Sequence, residues 1–131
     1  MKAANPKRTT GVWMISTIAI LFGLLTLKSG GMVLFVDGPD RVAAGNYVPF
    51  VLWFNFLAGF LYLLAGVGLW FQQRWAVWLA GAIFIATLVV FAFFGLHILD
   101  DGLYEYRTVI AMSLRSTVWG VIASYAYLRI L

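Results

Sequence analysis

The side chains that could do chemistry crowd into one stretch, His97-Ile-Leu-Asp-Asp-Gly-Leu-Tyr-Glu-Tyr-Arg107, and continue to Arg115 inside the apolar run that follows. Outside it the chain is almost wholly aliphatic and aromatic. Residue types of this kind could supply an anion or carbonyl anchor (Arg115) and a titratable pair (His97 with Glu105). At 1.5 Å per residue, Arg115 lies about 12 Å further along a helix than Arg107. In hydrocarbon a charge at that depth costs about 2.5–3.5 kcal/mol on insertion scales, so Arg115 should face the protein interior and meet a partner. Asn55 reaches a similar depth from the second apolar run, and Tyr62 lies deeper. The candidate ligand-binding residues are therefore Asn55, His97, Glu105, Arg107 and Arg115, with Lys28 nearby, in the outer half of one small helical bundle.

A structural role competes with each assignment. Arg115 could pair with Glu105 or an aspartate to lock the last helix, His97 could cap its helix by binding terminal carbonyls, and Asn55 alone is better explained by packing. Other chemistry is poorly supplied. There is no cysteine, which excludes disulfides and thiol catalysis, and His97 is the single histidine. A zinc site would have to draw on Asp100, Asp101 or Glu105 without the usual nitrogen and sulfur donors. Met14, Met32 and Met112 are scattered and no haem attachment motif exists. Ser113 and Ser116 lack a placed base and oxyanion donors. No catalytic residue, metal or cofactor is assigned.

The elements that must position these residues follow from composition. The 131 residues are 63% hydrophobic and 11% charged, with a mean hydropathy of +0.94, where a soluble domain carries about 25% charged residues. This is the profile of an integral membrane protein. Four windows of about 20 apolar residues fit, which leaves no room for a separate soluble domain. The spacing predicts an all-α, polytopic protein: an antiparallel bundle of four transmembrane helices at about 11–28, 50–71, 75–98 and 106–128, with an outer loop over about 29–48. The first run follows Lys2, Lys7 and Arg8, but Lys28-Ser29-Gly30-Gly31 lacks a small-x-small cleavage pattern, so it is read as a retained helix.

Along the chain, Ser16, Ala19, Gly23 and Thr26 form a small-residue stripe suited to a helix contact in lipid. Met32 to Val36 is too short to span and could prolong helix 1, lie at the interface or re-enter. Asp37-Gly38-Pro39-Asp40 is turn chemistry, and Pro49 suits a first helical turn. Asn55, Ala58, Tyr62 and Ala65 or Gly66 share a face that should look inward. Trp70, Trp75 and Trp78 suit a headgroup level around the Gln72-Gln73-Arg74 turn, and Ala76 with Ala80 offers a further small contact. On the last helix, Ser113, Thr117, Gly120 and Ser124 are expected to mark its closest packing partner.

With the amino terminus inside, Lys2, Lys7, Arg8, Arg74 and Arg129 are cytoplasmic, and Lys28, Arg41 and Arg107 lie outside. The positive-inside rule then places both termini in the cytoplasm. The five acids, Asp37, Asp40, Asp100, Asp101 and Glu105, all fall on the outer face. No clustered basic surface suits a nucleic acid.

The pattern His97-Ile98, Gly102-x-Tyr104-Glu105-x-Arg107-Thr108-Val109, then Ala111-Met112 and Arg115, resembles a signature of small four-helix bacterial inner-membrane proteins. That resemblance covers nearly the whole chain, implies a bacterial inner membrane and supplies no activity. Size and helix count are also similar to DoxX-like membrane proteins, in architecture alone and without a matching motif. The function expected is that of a non-enzymatic accessory or structural subunit of a membrane assembly, with the bilayer and a membrane protein or second copy as partners. A small-solute carrier or lipid or quinone binder using the outer pocket is the alternative. An enzyme ranks third, because no complete acid–base or nucleophile set is present.

Overall fold

The computed structural model describes residues 10–36 and 38–131. The expected basic tail with Lys2, Lys7 and Arg8, and the turn residue Asp37, lie outside them. The described chain is all-α: α1 (Thr10–Leu34), α2 (Pro39–Ala44), α3 (Pro49–Trp70), α4 (Arg74–Leu99) and α5 (Tyr106–Ile130). Four of these, α1, α3, α4 and α5, are long and apolar enough to cross a membrane. At 22 to 26 residues each, they are about 33–39 Å long, against about 30 Å of bilayer hydrocarbon.

Helix α1 packs closely on α3, α3 on α4 and α4 on α5, while α1 and α5 touch more sparsely. The α1–α3 contact is the closest because small residues line both sides. Ser16, Ala19, Gly23 and Thr26 are all buried, as are Ala58, Ala65 and Gly66 opposite. A Cβ on Gly66 would stand 3.1 Å from the Ile20 backbone nitrogen, so the two main chains meet with nothing between them.

Three features differ from the sequence reading. First, of the three courses left open for residues 32–36 the chain takes the prolongation of helix 1: α1 runs past residue 28 to Leu34. Gly30 lies within it as a packing position against Phe56. The new terminus is held by Arg41, whose Nε and Nη2 donate to the carbonyls of Val33 at 2.8 Å and Leu34 at 2.9 Å. Carbonyls with no intrahelical partner thus find a cation. Second, the expected outer loop holds the short helix α2, with Gly38 as an extended N-cap and Pro39 at its start. The left-handed residue is Gly45 (φ 63°), after that helix.

Third, α5 turns a different face inward. Ser113, Thr117 and Ser124 are exposed and Gly120 is half-buried. The Ser113 and Thr117 hydroxyls donate to the Val109 and Ser113 carbonyls of their own helix, each at 2.9 Å, and so need no neighbouring helix. Met112, Ser116, Trp119, Ile122, Ala126 and Ile130 are buried instead. Trp119 decides the face: its indole lies 4.8 Å, centroid to centroid, from the Tyr62 ring in the main core.

Two helix ends share one device. After α3, Gln72 is left-handed (φ 54°), with Gln73 N–H donating to Gly68 and Gln72 N–H to Leu69. After α4, Asp101 (φ 59°) and Gly102 repeat the pattern on Ile98 and His97. Both are Schellman turns, and they make short, defined connections. A separate small core of Val48, Val51, Phe94 and Met112 lies towards the end of the fold that carries α2 and the α4–α5 connection.

Candidate functional site

A cavity of about 220 Å³ lies between the starts of α3 and α5, beneath the segment that follows α2. Val48, Val51, Leu52 and Ala111 give it apolar walls, and Asn55, Glu105, Arg107 and Thr108 supply polar groups. Three of the five predicted site residues therefore come together here. His97 and Arg115 do not line this space.

Glu105 and Arg107 fasten the roof. Glu105 Oε2 accepts from the Asn46 backbone N–H at 2.9 Å, and Arg107 Nη2 donates to the Ala43 carbonyl at 2.6 Å. Their side chains also approach each other, Oε1 to Nη2, at 3.8 Å. With Arg107 67% exposed, that ion pair contributes little by itself, about 0–1 kcal/mol. Gly45 fits because it adopts positive φ and because a Cβ there would stand 2.7 Å from Glu105 Oε2. Asn55 Oδ1 is buried with no partner.

His97 serves the α4–α5 connection. Its Nε2 donates to the Leu103 carbonyl at 2.9 Å, and its own carbonyl accepts from Gly102. The expected cap on terminal carbonyls is thus replaced by a bond to the loop that follows the helix. Phe50 packs edge-on against the imidazole at 6.2 Å.

Arg115 follows Ala111 by one turn of α5 and lies further from the α2 end. Its Nη1 donates to Thr26 Oγ1 at 3.0 Å on α1 and to Tyr62 Oη at 3.2 Å on α3. The guanidinium also lies over the Phe22 ring at 5.1 Å and near the Tyr62 ring at 5.9 Å. Hydroxyls and ring faces therefore surround it. Among the described residues no carboxylate pairs with Arg115, and Glu105 is engaged at the roof. Arg115 Nε is buried without a partner, and so is Trp119 Nε1, one turn on along the same helix.

Such an arrangement can receive an acceptor. A buried unpaired donor costs about 1–3 kcal/mol, and more when charged, so two beside an uncompensated cation favour a carboxylate, another anion or a carbonyl. Thr26, Phe22 and Trp119 are parts of this cluster that the sequence reading did not assign to it. The i, i+4 spacing of Arg115 and Trp119 was the available signal. Among the described residues, no three His, Asp or Glu side chains gather so as to hold a metal.

Compared with models of known families, with curated proteins and with solved structures, the chain finds no match in any of the three. The resemblance to small bacterial inner-membrane proteins and to DoxX-like proteins gains no support from them, and the structure establishes a small all-helical protein with four helices long and apolar enough to span a membrane.

Proposed function

We propose that the chain is a non-enzymatic, multi-pass protein of a bacterial inner membrane that binds a small solute or amphiphile through an anionic or carbonyl group at Arg115. In this reading α1, α3, α4 and α5 form an antiparallel transmembrane bundle with both termini cytoplasmic, and the cavity under α2 opens outward. The observation that carries it is the state of Arg115: a guanidinium among apolar helices, tied to two hydroxyls, with Nε unpaired and no carboxylate among the described residues. Were Arg115 only a structural lock, a paired acid would be the economical solution, since an uncompensated cation at depth is expensive.

The accessory-subunit reading keeps one specific support. Ser113, Thr117 and Ser124 present small polar groups on the outside of α5, where small residues let another helix approach closely. A partner membrane protein or a second copy of this chain is the occupant that reading requires.

Native mass spectrometry of the protein, extracted from its host in mild detergent, separates the two. A bound small molecule that disappears in Arg115→Gln supports the binding reading, provided the variant stays folded in the membrane. A stoichiometric protein partner retained by Arg115→Gln, with no small-molecule adduct, overturns it in favour of the accessory reading.

A further inference from the structure

We infer that the ligand at Arg115 is a single-chain amphiphile with a carboxylate head, which reaches the guanidinium from the bilayer through the seam between α1 and α5. This deepens the binding reading and rests on it.

The guanidinium bridges that seam. Arg115 belongs to α5, and its contacts are Thr26 and Phe22 of α1 and Tyr62 of α3. Among neighbouring long helices, α1 and α5 make the loosest pair, and the bond from Arg115 Nη1 to Thr26 crosses between them. Further along, Tyr125 lies against Gly11, about 15 Å from Arg115 down α5 at 1.5 Å per residue. The seam is therefore shut at that end, and Arg115 is approached beside Phe22.

One edge of the guanidinium is unused. Among the described residues only Nη1 is bonded, to the two hydroxyls. Nε and Nη2 form the opposite edge of the planar group; Nε is enclosed without a partner, Nη2 is not enclosed, and the side chain as a whole is partly exposed. Such an edge receives two oxygens side by side, which is the geometry of a carboxylate. Charge points the same way. No carboxylate among the described residues pairs with Arg115, so a carboxylate head neutralises a cation that a hydroxyl or ketone would leave uncompensated in hydrocarbon.

The surroundings fix the body of the ligand. Arg115 does not line the cavity under α2, so its exposed part does not open there. Ile18 and Leu25, one turn to either side of Phe22, are exposed, and so is Leu114 next to Arg115. These side chains give the seam apolar lips. A soluble anion gains nothing from them, whereas the tail of an amphiphile lies against them and stays in lipid.

The test uses the full chain in phosphatidylcholine nanodiscs, with empty nanodiscs as the blank. Three probes separate head from tail: palmitate; hexadecanol, which keeps the tail and has no charge; and butyrate, which keeps the head and loses most of the tail. Labelled palmitate should bind saturably above the blank, hexadecanol should compete at least tenfold more weakly, and butyrate should not compete. In Arg115→Gln the palmitate affinity should fall by about tenfold to a hundredfold, the range of a charge-assisted hydrogen bond. Arg115→Lys keeps the charge and loses the two-nitrogen edge, so it should lie between, and it carries the comparison if the glutamine variant fails to fold. Palmitate with a diazirine beside its carboxylate should label α1 and α5 around Phe22 and Arg115.

Equal competition by hexadecanol would overturn the need for a charge, and equal competition by butyrate would overturn entry from the bilayer. Label confined to residues 44–55 would place the ligand in the cavity under α2 and overturn the seam. If palmitate does not exceed the blank while native mass spectrometry still shows an Arg115-dependent adduct, this inference falls and the binding reading stands; if neither appears, both fall.

Discussion

Replacing Gly66 with alanine tests the α1–α3 contact on which the Arg115 cluster depends. In an ordinary helix interior, Gly→Ala stabilises by about 1 kcal/mol through backbone entropy. At Gly66 the added methyl would stand 2.6 Å from Ile20 Cγ1 and 3.1 Å from the Ile20 backbone nitrogen. The side-chain contact can rotate away, but the backbone nitrogen cannot move without moving α1. Overpacking of this kind costs about 1–3 kcal/mol, which cancels the propensity gain or exceeds it. Gly81 and Gly95 in α4 provide the internal control, because a Cβ at either meets nothing within 4 Å. The expected result is a gap between them: Gly66→Ala should be less stable than Gly81→Ala and Gly95→Ala by about 1–3 kcal/mol, the overpacking term that the controls lack. Thermal unfolding in one mild detergent, followed by tryptophan emission, reads all three variants on the same scale. A Gly66→Ala protein as stable as Gly81→Ala would refute the claim that the two backbones touch. Thr26 and Tyr62 sit on the two helices so displaced, so Gly66→Ala should also weaken any ligand that depends on Arg115.

Arg41→Ala removes two charge-assisted bonds to the end of α1, and the last turn should fray; hydrogen exchange of the amides at 30–34 should rise by about tenfold or more, corresponding to the 1.5–3 kcal/mol of such a bond. Gly45→Ala should destabilise by about 1–3 kcal/mol, the penalty for a side chain in a sparsely populated positive-φ conformation (φ 63°, ψ −131°), and loosen the roof at Glu105; thermal unfolding and proteolysis near residue 45 check it. Thr117→Leu should leave the isolated chain within about 0.5 kcal/mol of its original stability, because the hydroxyl bonds only within its own helix. Loss of a co-purifying membrane partner in that variant would argue for the accessory reading.

The four long helices were legible because apolar runs of spanning length are a strong signal, and Pro49 stands where a proline is tolerated. The α1 stripe was legible too, since glycine and alanine at helical spacing have few other uses. The inward face of α5 was not. Two periodic patterns compete on that helix, a small polar one through Ser113, Thr117 and Ser124 and a bulky one through Met112, Trp119 and Ile122. Hydroxyls that satisfy themselves on their own backbone let the bulky face win. The environment of Arg115 was half legible. Its depth made a partner necessary, but the sequence left Glu105 or an aspartate open as that partner, and Glu105 is instead engaged by Asn46 and Arg107. That the partners would be Thr26 and Tyr62 depends on how α1 and α3 approach each other, which is set by glycines far along the chain from Arg115.

The same cluster bears on the order in which the protein is made. Arg115 follows Thr26 by 89 positions and Tyr62 by 53. Synthesis from the amino terminus, at about 5–20 residues per second, therefore completes α1 and α3 seconds before Arg115 leaves the ribosome. Those two helices form the closest pair in the fold, and each supplies one hydroxyl to the guanidinium, Thr26 from α1 and Tyr62 from α3. In the proposed transmembrane arrangement, the residue that costs most to place in hydrocarbon is thus the last of its cluster but one to be synthesised, after both helices that supply its hydroxyl partners.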